Sequence, residues 1–209
     1  MKWIDISQPL DETLAHWPGD TPFSYKLTYT KEQTGSVNIG QMTMSLHSGT
    51  HVDAPFHFHN DGEKIIDLEL DVFIGKARVV DLSSFEKIDE VALSQVDLDG
   101  VTRLLVKTSV PNRPNHFPNS IPYVTADGAA YLSSKGVRLI GVDVPSVDAL
   151  DSKELEGHHA LHRHQIYILE NLMLDRVAEG EYELIALPLA LKDADGSPVR
   201  AVIRPMKEA

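Results

Sequence analysis

The chain contains no cysteine. That removes disulfide scaffolds, thiolate metal sites and cysteine nucleophiles together. It leaves the compartment open, because a chain without thiols tolerates either redox state. Basic residues are also few. Nineteen Lys and Arg face 31 Asp and Glu in 209 residues, a net charge of −12 with His neutral. Such a chain repels phosphate backbones and anionic membrane surfaces, and no run of Lys or Arg offsets that. Nucleic acid and membranes are therefore excluded as expected partners. Long apolar runs are missing; they last a few residues, as in Leu172-Met173-Leu174, so nothing reads as a bilayer span. The opening Met1-Lys2-Trp3-Ile4-Asp5-Ile6 meets an acid early and Pro9 soon after, unlike an apolar signal region. A cytoplasmic protein is expected. Several catalytic signatures are absent as well. Ser48 follows His47, so HExxH fails, and there is no GxSxG, glycine-rich dinucleotide loop or phosphate loop.

What is present is an ordinary globular composition, 42% apolar and 24% charged. The length suffices to bury a core without staples. No repeat, low-complexity tract or linker divides the chain, so residues 1–209 read as one domain. Apolar runs of strand length lie at Trp3–Ser7, Ala77–Leu82, Arg103–Thr108, Val137–Val144, Glu183–Pro188 and Val199–Arg204. Ile39–His47 alternates, with Met42, Met44 and Leu46 on one parity and polar residues on the other, which predicts a half-buried strand. Thr125 caps an expected helix over 126–135, and Gly136 ends it. Ser152–His164 reads as a second helix and 88–98 as a short third. Strands mixed with helices predict α/β (mixed α+β) layers. The proline-containing stretches 113–122 and Ala15–Pro22 read as ordered loops.

The histidines are the outstanding feature. There are ten; His47, His51, His57 and His59 form one group, and His158, His159, His162 and His164 another. The first group sits in His47-Ser48-Gly49-Thr50-His51-Val52-Asp53-Ala54-Pro55-Phe56-His57-Phe58. Four residues of strand cover roughly 13 Å, whereas a metal holds each ligand atom at roughly 2 Å. His47 and His51 can thus share an ion only if the chain bends, and Gly49 is placed to bend it. Pro55 stops a helix from running through. The expected layout is a strand, a glycine bend, and a loop carrying His51, Asp53 and His57 into one cavity. A His–His–Asp set suits Zn²⁺, and also Mn²⁺, Fe²⁺ or Co²⁺. Asp53 has two oxygens and can bridge two ions, with His158 or His159 and Glu170 supplying the rest of a second site. A bound metal lowers the pKa of water towards about 7 and polarises a carbonyl. His57 is left over to move a proton.

Plainer readings compete. A lone HxxxH pair is weak evidence, and a lone buried His is more often a hydrogen-bonded core residue than a ligand. His162 and His164 read as decoration of a helix face, His59 as a loop residue, and Asp143 as a turn or capping group.

The run His47 to Phe58 resembles the HxGTHxDxPxHF signature of the metal-dependent cyclase family at every fixed position. Trp17-Pro18-Gly19-Asp20, Gly141 to Asp148, His158-His159, Ile168-Leu169-Glu170-Asn171 and the tail from Leu187-Pro188-Leu189 to Gly196-Ser197-Pro198-Val199-Arg200-Ala201 are similar to segments of the bacterial kynurenine formamidases within it. The resemblance covers nearly the whole chain. It implies a swivelling β/β/α-type fold, a homodimer, two Zn²⁺ per subunit and hydrolysis of an aryl formamide, N-formyl-L-kynurenine. By the same resemblance His47, His51 and Asp53 hold the first metal, Asp53 bridges, and Glu170 holds the second with one of the 158–159 pair, taken as His158. His57 is the implied acid/base, and Trp17 packs on the substrate ring. Two alternatives remain: another amidohydrolase of the family acting on an isatin-like cyclic amide or an aryl amide, or a non-catalytic metal-binding protein.

Overall fold

The segment Arg103-Leu104-Leu105-Val106-Lys107 shows how the centre of the fold is organised. Leu104 and Val106 pack into one apolar cluster and Leu105 into another, as the period of two requires when both faces of a sheet are covered. Leu139, Ile140 and Val142 divide the same way, as do Ile168 and Leu169.

The computed structural model describes residues 2–206. In chain order the elements are β1 (Ile4–Asp5), β2 (Ser24–Tyr29), α1 (Lys31–Thr34), β3 (Ile39–Thr43), β4 (His51–Asp53), β5 (Ile74–Asp81), β6 (Lys87–Ile88), α2 (Glu90–Leu93), β7 (Arg103–Lys107), β8 (Tyr123–Val124), α3 (Ala126–Ser134), β9 (Leu139–Val142), α4 (Glu156–Arg163), β10 (Tyr167–Glu170), β11 (Gly180–Ile185), β12 (Gly196–Pro198) and β13 (Val202–Pro205). One nine-stranded sheet runs β1-β13-β11-β5-β7-β9-β10-β4-β12. Strands β5, β7, β9 and β10 are mutually parallel, and the flanking pairs are antiparallel. Residues of α2, α3 and α4 cover one face. On the other face, Ile65, Phe73 and Leu172 pack with Leu105 and Leu139. The expected mixed α/β single-domain architecture is what forms. No helix among the described residues is long and apolar enough to cross a membrane.

Three local expectations fail. Ile39–His47 is a strand only to Thr43, and it is exposed throughout rather than half-buried. It pairs with β2 alone as a two-stranded ribbon, with Tyr25 opposite Met42 and Leu27 opposite Gly40. The alternation is real, but among the described residues its strand stays exposed and pairs only with β2. The expected loop at 51–53 is instead the buried strand β4. Short polar strands carry little periodicity, and its neighbours β10 and β12 come from more than a hundred residues away. The helix read from Ser152 begins at Glu156. Leu155 takes a left-handed conformation, φ 47°, so the turn holding Glu154 lies outside it. As read, α3 is capped by Thr125, whose side chain accepts from the Gly128 N–H.

Candidate metal centre and active site

Strand β4 places the donors. His51 and Asp53 are two residues apart and share a face, while Val52 packs into the opposite core. Register sets His51 directly opposite Glu170 of β10, which brings a second carboxylate to that face. Helix α4 lies over the same face, packed against α3 and β10, and turns His158 down onto it. Three segments distant in sequence thus converge, and His51, Asp53, His158 and Glu170 are all buried.

The fourth histidine arrives by a bend. Gly49 has φ +67°, a conformation that costs glycine least. It turns the chain so that His47 Nδ1 lies 2.9 Å from Asp53 Oδ1. The expected bend is therefore present. The Gly49 carbonyl accepts from His51 Nδ1 at 2.8 Å, which leaves Nε2 unprotonated when the ring is neutral. Gly196 of β12, opposite Asp53, has a further role. A Cβ there would meet His47 Cε1 at 2.8 Å, so the imidazole lies against bare backbone.

Two triads share one residue. His47, His51 and Asp53 have donor atoms within 4.8 Å of one another, and so do Asp53, His158 and Glu170; a third group, His47, His57 and Asp195, meets the same limit but is less buried. His51 Nε2 is 3.3 Å from Asp53 Oδ1 and 3.4 Å from Glu170 Oε2. His158 Nε2 is 3.4 Å from Asp53 Oδ2 and 3.8 Å from Glu170 Oε1. His51 Nε2 and Asp53 Oδ2 are buried and aligned in no hydrogen bond among the described residues. Orphaned buried polar atoms are costly, and a cation between them would satisfy both. The donors fit a divalent metal by type and by arrangement.

The electrostatics agree. Burial opposes charge on His51, yet the Asp53 and Glu170 carboxylates outweigh it and push its pKa up to about 10. Burial likewise opposes charge on His158, but Asp148 and Asp53 raise it to about 10. His47, buried but held by Asp195 and Asp53, rises to about 9. For Asp53 burial works against ionisation, and the surrounding imidazoles hold it well below the usual carboxylate range all the same. The pocket demands positive charge, which protons or a divalent ion can meet.

The choice between the paired histidines falls on His158. Its Nδ1 donates to Asp148 Oδ2 at 2.6 Å, and the Asp148 carboxylate also accepts from the Gly157 and His158 N–H groups. Asp148 thus caps α4 and aims the ring, as outer carboxylates do for metal-bound histidines. His159 packs edge-on against Phe58 instead, centroids 5.5 Å apart. His162 also packs on Phe58. Asp143 is buried, which raises its pKa to about 6, and its carboxylate accepts from the Thr108 N–H at 3.0 and 3.1 Å. It ties β9 to the end of β7, the structural role read for it.

His57 lies in a single 3₁₀ turn, Pro55–His57. Its ring stacks on His47 at 3.8 Å between centroids. Together with His47, His51, His158 and Glu170 it lines a cavity of about 490 Å³. Trp17 lines the same cavity, 39% exposed and edge-to-face with Phe117 at 5.3 Å. His47, His51, His57, His158, Glu170 and Trp17 therefore line one cavity, with Asp53 in contact with His47, His51 and His158; His159 and His162 lie against Phe58 instead. Asp195, Asp148 and Arg113 were not singled out. The first two stood in segments already noted for resemblance, but nothing local marked them as neighbours of histidines some 140 and 10 residues away.

Comparison with known proteins shows the family. The Cyclase family model matches residues 4–149. This chain belongs to the cyclase family. It is 62% identical over 205 residues to the kynurenine formamidase of Bacillus anthracis, with 98% of each chain covered. A solved cyclase-family structure, described as a potential metal-dependent hydrolase with cyclase activity, superposes with a TM-score of 0.84 at 26% identity over 99% of both chains. Isatin hydrolase A of Labrenzia aggregata superposes with a TM-score of 0.79 at 21% identity, covering 99% of this chain and 94% of that one. That last likeness is of fold alone.

Proposed function

We propose that this cyclase-family chain is a kynurenine formamidase that hydrolyses N-formyl-L-kynurenine to L-kynurenine and formate. The observation that carries the reading is the cavity of about 490 Å³ lined by His47, His51, His158 and Glu170 of the two donor triads together with His57 and Trp17. We take the resident ions to be two Zn²⁺, one in each triad, with Asp53 shared. Bound there, such ions supply a water of lowered pKa and polarisation of a carbonyl.

The chain's own residues do the rest. Trp17 offers a flat face to the aryl ring, worth roughly 0.5–1.5 kcal/mol beyond buried area. His57 takes a proton from water as water adds to the formyl carbon, and passes it to the aniline nitrogen as the C–N bond breaks. The formyl group leaves as formic acid, which ionises to formate. The amino-acid end of the substrate also finds complements. Arg113 is the one Lys or Arg on the cavity wall, and no hydrogen bond or ion pair engages its guanidinium among the described residues. Asp20 lies on the same wall. We assign Arg113 to the substrate carboxylate and Asp20 to its ammonium.

Zinc-loaded protein is expected to turn over N-formyl-L-kynurenine, followed by kynurenine absorbance, and to stop when a chelator removes the metal. No turnover by fully loaded protein refutes the substrate, and an isatin panel then tests the cyclic-amide alternative. In the same assay Arg113→Ala should raise KM about tenfold with kcat nearly kept, the scale of one charge-assisted contact. Formanilide, which has no amino-acid end, should be unaffected; an equal loss on both substrates would rule out the carboxylate contact.

We also propose that the chain works as a homodimer. In the β2–β3 ribbon, Tyr25, Leu27 and Met42 lie on one face and are each about half exposed. An isolated two-stranded ribbon is marginal in water, so a second copy is the proposed cover. Equilibrium sedimentation should give twice the 23.2 kDa chain mass. Leu27→Glu with Met42→Lys should shift it to monomer; a wild-type monomer sinks the proposal.

A further inference from the structure

We propose that Asp195 is the positioning residue for His57, one carboxylate tying the acid/base to the metal-ligand face. This rests on the acid/base reading of His57 above. Asp195 Oδ2 lies 3.0 Å from His47 Nε2 and 3.6 Å from His57 Nδ1. The two rings stack with 30° between their planes, so one oxygen sits at the edge of both. Its place is set by the sheet. Asp195 immediately precedes β12, its own carbonyl accepts from the Ala54 N–H at 2.9 Å, and the neighbouring Gly196 pairs with Asp53. The carboxylate is thus held at the entry to the edge strand that borders the donors.

The consequence is for the tautomer and orientation of His57. A carboxylate facing Nδ1 favours the proton there, and this leaves Nε2 as the nitrogen that exchanges a proton with substrate. The 3.6 Å separation is long for a hydrogen bond, but catalytic contacts of this kind commonly tighten when substrate binds. The logic is that of a carboxylate holding a catalytic imidazole by its far nitrogen. His47 receives the same treatment from the same oxygen. Its Nε2–H donates to Asp195, so its Nδ1 is left towards Asp53 and the shared donors. Asp195 thereby fixes two imidazoles at once, one that offers a ligand atom and one that moves a proton.

The test compares Asp195→Asn, Asp195→Glu and His57→Ala on formanilide and 4-nitroformanilide, with metal content measured for each. The nitro compound has the better leaving group and needs less help from a proton donor. Asp195→Asn is expected to keep its metal and its KM within about twofold, and to lose about tenfold to a hundredfold in kcat on formanilide. The loss on 4-nitroformanilide should be several-fold smaller, the pattern His57→Ala shows more strongly. Asp195→Glu should recover part of kcat. Equal losses of Asp195→Asn on both substrates, an unchanged kcat, or loss of metal would each overturn the proposal; the last would make Asp195 a support of His47 only. If His57→Ala itself is fully active, the acid/base reading has failed, a result distinguishable from failure of Asp195 alone.

Discussion

Asp53→Ala is expected to lose metal from both sites and to fall below detectable turnover. The two buried triads, His47–His51–Asp53 and Asp53–His158–Glu170, both contain Asp53 and have no other residue in common. Its side chain is almost wholly buried, and it is faced by His47, His51 and His158 at 2.9, 3.3 and 3.4 Å. Removing the carboxylate would take one ligand from each of the two ions proposed above, and it removes the negative charge that faces three imidazoles. Metal affinity falls steeply when a carboxylate ligand goes, and the structural cost is also real: buried imidazoles held by a partner are left uncompensated, a loss of about 3–5 kcal/mol. Asp53→Asn separates the two effects. It preserves volume on β4, so it should fold with a thermal midpoint close to wild type yet bind less than half the wild-type metal. Inductively coupled plasma analysis of the purified variants reads this directly. Full metal occupancy in either variant would refute the ligand assignment, whatever happened to the rate.

His57→Ala is expected to do the opposite: metal kept, rate lost. His57 contributes no atom to either shared triad, and its side chain is one-third exposed on the cavity wall. Its truncation should cost little stability. The loss expected is at least about a hundredfold in kcat, the usual scale for a general acid–base group. KM should change little, because the residue acts on the proton of the departing nitrogen and not on the ring or the amino-acid end. Steady-state kinetics on the zinc-loaded variant checks this, and an unaffected kcat would remove His57 from the chemistry. The two variants form a pair: one loses activity through metal, the other with metal in place.

The order of events along the chain explains what could be read in advance. The signature from His47 to Phe58 is local. Its glycine and donor spacing are constraints on one short stretch of backbone, so the bend at Gly49 followed directly from residue chemistry, while Pro55 opens the 3₁₀ turn that carries His57. The central strands were legible because parallel strands buried on both faces need continuous apolar runs. The ribbon was misread for the same reason. Period-two alternation reports that one face differs from the other, not that anything covers it.

Composition and spacing by themselves pointed to the class of site, N and O donors without thiols gathered around two histidine groups, and to a mixed α/β layered fold. Only the tertiary structure decided which atoms face one another. Register across β4 and β10 put Glu170 opposite His51, and packing of α4 chose His158 over His159. The sheet edge delivered Asp195 to His47 and His57 across some 140 residues. Contacts of that kind depend on strand order and helix packing, which arise from burying the whole apolar surface at once, and no local pattern encodes them.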